Sequence, residues 1–271
     1  MISPASDNSA QSFSYSNCSR GPRIMSDSRV TAVLTKVLCS HGGRLQKDLL
    51  SGFMKLSSKK IEQILRDDPQ KFTVVQGQVL ARSPVRICVK YLKYEAEEEC
   101  EKLHLCRYYL RGRCKRAQCT LSHDISSAHN RTVLKANAIG RLNEDEIKVL
   151  LLQNDNQLLP GVCVKYIHET CDSDMDCPWL HICGYFTRGQ CHHFTCKFSH
   201  NLLELSSDLL LTRHGMSQES IHNFQMLCTV KHHENLEEIR KKKYEEKRSG
   251  EERRLGKGRR SGKGRRSGEE K

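Results

Sequence analysis

Long apolar runs are absent from this sequence. No stretch approaches the roughly 18 apolar residues that a membrane-spanning helix needs, so no membrane association is expected. Residues 1–28 are rich in Ser and Asn and lack the apolar segment of a secretion signal. Core-forming residues are scarce too: there is one Trp in 271 residues, 37% of the chain is hydrophobic, and the mean hydropathy is −0.63. These figures argue against a large enzyme core, while leaving room for a compact body of roughly 200 residues. Nucleophile motifs, phosphate-binding glycine loops and paired carboxylates with a pocket signature are all missing, so no catalysis is expected.

Positive charge and cysteine are what the chain has in surplus. The net charge is +13. Residues 237–271 carry 15 Lys/Arg against 8 Glu, or +7, which leaves +6 for the rest. Such a surplus points to an anionic partner, nucleic acid above all. Without a secretion signal the 14 cysteines are expected to stay reduced, which favours metal over disulfides.

Periodicity divides the chain. Residues 1–28 predict disorder. Val30, Val33, Leu34, Val37 and Leu38 recur at helical spacing, and Gly42-Gly43 ends the run. Leu45, Leu49, Leu50 and Phe53 predict a second helix. Ser57 caps a third, with Ile61, Ile64 and Leu65 on its apolar face. Phe72–Val75 and Val79–Ala81 flank Gln76-Gly77-Gln78 as a hairpin. Three helices and a hairpin are the order of a winged helix, here 29–86, a fold that binds nucleic acid in some proteins and only protein in others. Residues 124–162 contain a predicted capping box, Asn143 with Glu146, ahead of Ile147, Leu150 and Leu151. In 201–236, Leu202, Leu205, Leu209 and Leu210 predict one helix, and Ile221, Phe224 and Leu227 another. The apolar faces are expected to pack together into one mostly helical body. Residues 237–271 are a basic low-complexity tail, predicted to be disordered or a frayed helix. Within it Arg240-Lys-Lys-Lys243 and Arg253-Arg254 are compatible with a nuclear signal and equally with sequence-independent RNA affinity, and cytoplasmic or nuclear residence, or both, is expected.

Metal spacing takes over at Cys88. Cys106, Cys114, Cys119 and His123 follow a C-x7-C-x4-C-x3-H pattern, as do Cys183, Cys191, Cys196 and His200; Cys163, Cys171, Cys177 and His181 follow C-x7-C-x5-C-x3-H. Zinc takes four N/S ligands in a tetrahedron, and short loops supply them without a large core. Adding 77 to Cys100, His104, Cys106, Cys114, Cys119 and His123 gives Cys177, His181, Cys183, Cys191, Cys196 and His200. The fingers therefore form two pairs, 87–123 and 163–200, each joined by one residue, Leu105 or Ile182. The first finger departs from the pattern: Cys88, Cys100 and His104 are present, but Tyr94 stands where Cys171 stands in the repeat. Glu97, Glu98 or Glu99 is the only local substitute, so this finger reads as degenerate, or as a three-ligand site completed by water. Saturated Cys3His sites leave no position for substrate, and the zincs are read as structural.

Between the ligands lie the candidate nucleic-acid contacts. The second finger holds Arg107, Tyr108, Tyr109, Arg111, Arg113, Lys115 and Arg116 and no acid; the fourth holds Tyr185, Phe186, Arg188, Phe194, Lys197 and Phe198 and no acid. Cations neutralise phosphates and aromatic faces stack on unpaired bases, pointing to single-stranded RNA. The aromatics also admit a plainer reading, in which Tyr109, Phe186 and Phe198 simply cover the metal. Asp172, Asp174 and Asp176 make the third finger acidic, and so structural or a protein contact. Cys39 reads as core, His192 and His193 as surface, and Cys18 and Cys228 lack partners.

The run Leu34-Thr-Lys-Val-Leu-Cys-Ser-His-Gly-Gly-Arg44, the joints Leu103-His-Leu-Cys106 and Leu180-His-Ile-Cys183, the helix Leu150-Leu-Leu-Gln-Asn-Asp155 and Phe186-Thr-Arg-Gly189 together resemble the N-terminal RNA-binding region of the zinc-finger antiviral proteins. They equally resemble the CCCH members of the ADP-ribosyltransferase (PARP) family. The resemblance spans about 29–235. It implies a mostly α fold, a winged-helix-like start followed by four CCCH fingers on a helical scaffold. It also implies zinc-dependent binding of viral or cellular RNA in innate defence, with protein cofactors of RNA decay as further partners. Antiviral members carry an aromatic after the second Cys of the second finger and a basic-aromatic pair before Ser-His. Here Arg116 and Thr120-Leu121 stand there, so their base-selective pocket is not expected. Nor is the family's enzymatic chemistry, since no WWE or ADP-ribosyltransferase domain is present. An adaptor that keeps the fold and has lost base recognition is the competing expectation.

Overall fold

The computed structural model describes residues 27–93, 95 and 100–261. The expectations for residues 1–26, with Cys18, for Tyr94 and Glu97–Glu99, and for 262–271 lie outside the described residues.

The N-terminal unit consists of α1 (Asp27–Ser40), β1 (Arg44–Gln46), α2 (Leu50–Met54), α3 (Ser58–Asp67), β2 (Phe72–Val75) and β3 (Gln78–Ala81). Val30, Leu34 and Leu38 form the buried stripe of α1. Ser57 caps α3 by accepting from the Lys60 backbone N–H. Gln76 and Gly77 both take positive φ, 49° and 76°, the backbone of a two-residue hairpin turn whose twist suits the strands. The sheet is antiparallel in the order β1-β3-β2, giving the winged-helix layout.

One segment departs from the expected helices. Arg44–Gln46 is a strand, paired with β3 through Arg44 to Leu80 and Gln46 to Gln78. The second helix is confined to Leu50–Met54, and Leu49 and Phe53 are exposed. The free edge of β3 offers unpaired backbone groups, and three residues of extended chain satisfy them better than a helical turn does.

The finger pairs follow, separated by α6 (Ala128–Ala136) and α7 (Glu144–Asn154). Both arms of the capping box at Asn143 and Glu146 are present. Glu146 also pairs with Lys36 at 2.8 Å, tying α7 to α1. After the second pair, α9 (Leu205–Arg213) leads into α10 (Gln218–Ser261). This last helix runs well beyond residue 236, into the stretch expected to be low-complexity tail; Glu238 and Lys242, one turn apart, pair at 2.8 Å along it.

Two apolar clusters form the core. One joins the winged helix, the first finger pair, α6 and α7; the other joins the second pair, α9 and the start of α10. Leu152 packs against both. Beside it, Gln153 donates to the carbonyls of Gly43 and Ala81 at 3.3 and 2.7 Å and accepts from Asn223 of α10 at 3.0 Å. Gly43 has φ +89°, and a Cβ there would lie 1.9 Å from the Gln153 amide oxygen, so only glycine fits. Gln153→Leu removes one hydrogen bond from each of the Gly43 and Ala81 carbonyls and from the Asn223 amide, each of which keeps another partner. It is expected to cost about 3 kcal/mol, read as a lowered denaturant midpoint with an unchanged slope.

Candidate metal centres and nucleic-acid interface

Each finger opens on a cysteine whose backbone N–H is held by the carbonyl of the residue just before that finger's ligand histidine. Cys88 and Cys163 donate to the carbonyls of Leu103 and Leu180, both at 2.9 Å, while Cys106 and Cys183 donate to Ser122 and Ser199 at 2.9 and 2.8 Å. A helical turn follows each cysteine: α4 (Val89–Leu92), α5 (Arg107–Leu110), α8 (Val164–Ile167) and a 3-10 turn, Phe186–Arg188. The Sγ atoms of Cys88 and Cys163 accept from backbone N–H groups at Tyr91 and Tyr166.

The four ligand sets come together in space. The ligand atoms of Cys106, Cys114, Cys119 and His123 lie within 4.8 Å of one another, as do those of Cys163, Cys171, Cys177 and His181, and those of Cys183, Cys191, Cys196 and His200. Cys88, Cys100 and His104 form a fourth group on the same criterion. Zinc fits these groups. In His104, His123, His181 and His200 the Nε2 atom is buried without a hydrogen-bond partner, a costly state that a metal bond relieves. Burial also pushes the Cys183 thiol up to about 11, so three adjacent thiolates need a cation to coexist. Zinc would supply that charge and fix the loops; a saturated site does no further chemistry.

A pattern not singled out in the sequence orders these sites. The third residue after the first cysteine is aromatic in all four fingers, and it stacks on the ligand histidine. The ring centroids are 4.5 Å apart for Tyr91 on His104 and Tyr109 on His123, 4.7 Å for Tyr166 on His181, and 4.4 Å for Phe186 on His200. Tyr91 and Tyr166 also reach the next finger, where their hydroxyls accept from Ser122 and Ser199 at 2.7 and 3.0 Å. Two histidines far from the finger spacing join this shell: His129 stacks on His104 at 3.8 Å, and His232 lies edge-on to His200 at 4.7 Å.

The expected RNA contacts divide. Phe186 is 1% exposed beneath His200, and Arg111 is 4% exposed, so neither stands at the surface where the sequence reading put it. Stacking on the ligand His200 claims the first; docking against His214, at 3.3 Å, claims the second. Phe198 is half-buried against the second core. Lys197 is exposed but pairs with Glu169 at 2.8 Å. Arg113, Lys115, Arg116 and Arg188 are exposed and Arg107 half-exposed. Tyr108 and Phe194 are 43% and 46% exposed, and Tyr185 is 61% exposed. Arg107 and Arg188 lie over Tyr108 and Tyr185, each 5.1 Å from the ring centroid. Arg240 of α10 lies 4.6 Å from the Phe194 centroid, bringing the basic helix onto the fourth finger. A cleft of about 500 Å³ runs between the fingers, lined by Arg107, Gln157, Ile167, Tyr185, Thr187 and Arg188 among others, with no carboxylate in its wall. Cys39 and Cys228 are buried, their thiols pushed up to about 12 by burial, and neither belongs to a ligand cluster.

Comparison with known sequences agrees with this geometry. Residues 29–85 match a family described as the Zap helix turn helix N-terminal domain, and 86–130 match a PARP12-like CCCH zinc finger tandem. The chain is 35% identical to human zinc finger CCCH-type antiviral protein 1-like over 244 residues, 77% of this chain and 81% of that protein. It belongs to the CCCH-type zinc-finger antiviral protein family. Rat zinc finger CCCH-type antiviral protein 1 is 36% identical over 226 residues, but that match covers 29% of its length. Human protein mono-ADP-ribosyltransferase PARP12 is 34% identical over 220 residues, 31% of its length. The chain thus spans most of the first relative and under a third of the other two.

The first site gathers fewer described protein ligands than the others and should hold zinc least tightly. In a chelator titration followed by metal analysis, one zinc is expected to leave well before the other three, with Cys88→Ser abolishing only that early step. Four ions released together would contradict this.

Proposed function

We propose that this chain binds single-stranded RNA across the second and fourth fingers, as a non-catalytic module of antiviral defence. The cleft between those fingers carries the reading. Its wall combines Arg107 from one finger with Tyr185 and Arg188 from the other and contains no acid. Guanidiniums neutralise phosphates, and exposed Tyr108, Tyr185 and Phe194 offer faces to unpaired bases. Zinc holds these side chains in place and touches no substrate. The names of the relatives support a defence role, and Arg240 against Phe194 extends the basic face onto α10.

One observation favours a second activity. The third finger exposes Val164, Met175 and Trp179 beside Asp172 and Asp176, a surface unsuited to RNA and suited to a protein with basic and apolar groups. Partners retained after nuclease treatment and lost in Trp179→Ala would support an adaptor role alongside RNA binding.

Fluorescence anisotropy with single-stranded oligoribonucleotides tests the principal reading. Arg107→Ala combined with Arg188→Ala is expected to weaken binding about tenfold and to lower the salt dependence by about two phosphate contacts. Equal affinity of variant and native chain, or no binding at low salt, would overturn it.

A further inference from the structure

Arg111 has a buried guanidinium that the fold leaves unsatisfied. Nη1 donates to His214 Nδ1 at 3.3 Å, while Nε and Nη2 are buried without a hydrogen-bond partner. Burying a charge with donors unmet is costly. Among the described residues no carboxylate pairs with Arg107, Arg111 or Arg113. More cations gather instead. Burial and then Arg107 push Arg111 down to about 10. Burial, and after it all three arginines, hold His214 below its usual range. Packing keeps the group together in place of countercharge. Gly215, at φ +86°, sits so close to this loop that a Cβ there would lie 2.2 Å from the Arg111 carbonyl oxygen.

We infer that Arg111, with Arg107 and His214, forms a binding site for a phosphate group. Nε and Nη2 make up one edge of the guanidinium, the edge that gives two parallel N–H···O bonds to an oxyanion. Phosphate supplies both acceptors and the negative charge the cluster lacks. Tyr108 is the exposed group beside the site, with the Cζ atoms of Arg107 and Arg111 at 5.1 and 6.0 Å from its centroid. The phosphate comes from RNA or from solution, and the chemistry is the same. Only the RNA source rests on the function proposed above.

Thermal unfolding of the zinc-loaded full chain in sodium phosphate, against sodium chloride of equal ionic strength, tests the site. Phosphate is expected to raise the midpoint by about 3 °C, and the shift should vanish in Arg111→Met. That variant keeps the apolar stem, loses the unmet donors and should melt in chloride no lower than the native chain. Arg107→Ala, at a half-exposed position, should reduce the shift without disturbing the fold. Equal midpoints of the native chain in the two salts overturn the site, as does an undiminished shift in Arg111→Met. Anisotropy with 5′-phosphorylated and 5′-hydroxyl oligoribonucleotides separates the sources. Tighter binding of the phosphorylated strand, lost in Arg111→Met, assigns a terminal phosphate. Equal binding of both, weakened in Arg111→Met, assigns the backbone; no effect of Arg111→Met on either assigns free phosphate. No midpoint shift in a chain that binds RNA overturns this site alone; a shift in a chain that binds no RNA overturns only the RNA reading.

Discussion

Three consecutive buried polar side chains at the end of α7 hold the molecule together. Gln153 bonds to the winged helix and to α10. Asn154 accepts from Ser83 N–H and donates to Ala81. Asp155 accepts from the backbone of Ile87, one residue before the first finger, at 2.6 Å, and of Gln157 at 2.9 Å. Buried polar groups are tolerated only when paired, and here Gln153 and Asn154 share the Ala81 carbonyl, Gln153 also reaches α10, and Asp155 holds Ile87. The winged helix, the first finger pair and the last helix are thereby registered on one short segment, with Leu152 between the two apolar clusters.

This frame gives small zinc modules a common orientation. A finger has too little apolar surface to hold a fixed pose by itself. Here the metal closes the loops, an aromatic three residues after the first cysteine covers the histidine, and Tyr91 or Tyr166 locks the pair. Arg107 of the second finger and Tyr185 and Arg188 of the fourth then line one cleft. The third finger turns its acids and Trp179 elsewhere on its surface. Division of labour among the fingers follows from which side chains the packing consumes.

Much of this was legible in the sequence. Ligand positions were, because zinc demands particular residues at nearly fixed spacing, and the 77-residue repeat exposed the first finger as the odd one. Caps at Ser57 and Asn143 were legible because they are local. Other features depend on distant partners. Arg111 is buried because His214 and Gly215 come to it from 103 and more residues away. Arg44–Gln46 is a strand because β3 presents an edge. The aromatic series Tyr91, Tyr109, Tyr166 and Phe186 was visible as letters, but stacking on the metal ligand and stacking on a base ask for the same residue type. Only the observed contacts separate them.

The proposed RNA-binding face consists of the exposed residues of the second and fourth fingers. Ultraviolet crosslinking of the zinc-loaded chain to single-stranded RNA, with the modified peptides mapped by mass spectrometry, tests it most directly. Crosslinks at Tyr108, Tyr185 and Phe194 are predicted, and crosslinks confined to the winged helix or to the third finger would rule out that face.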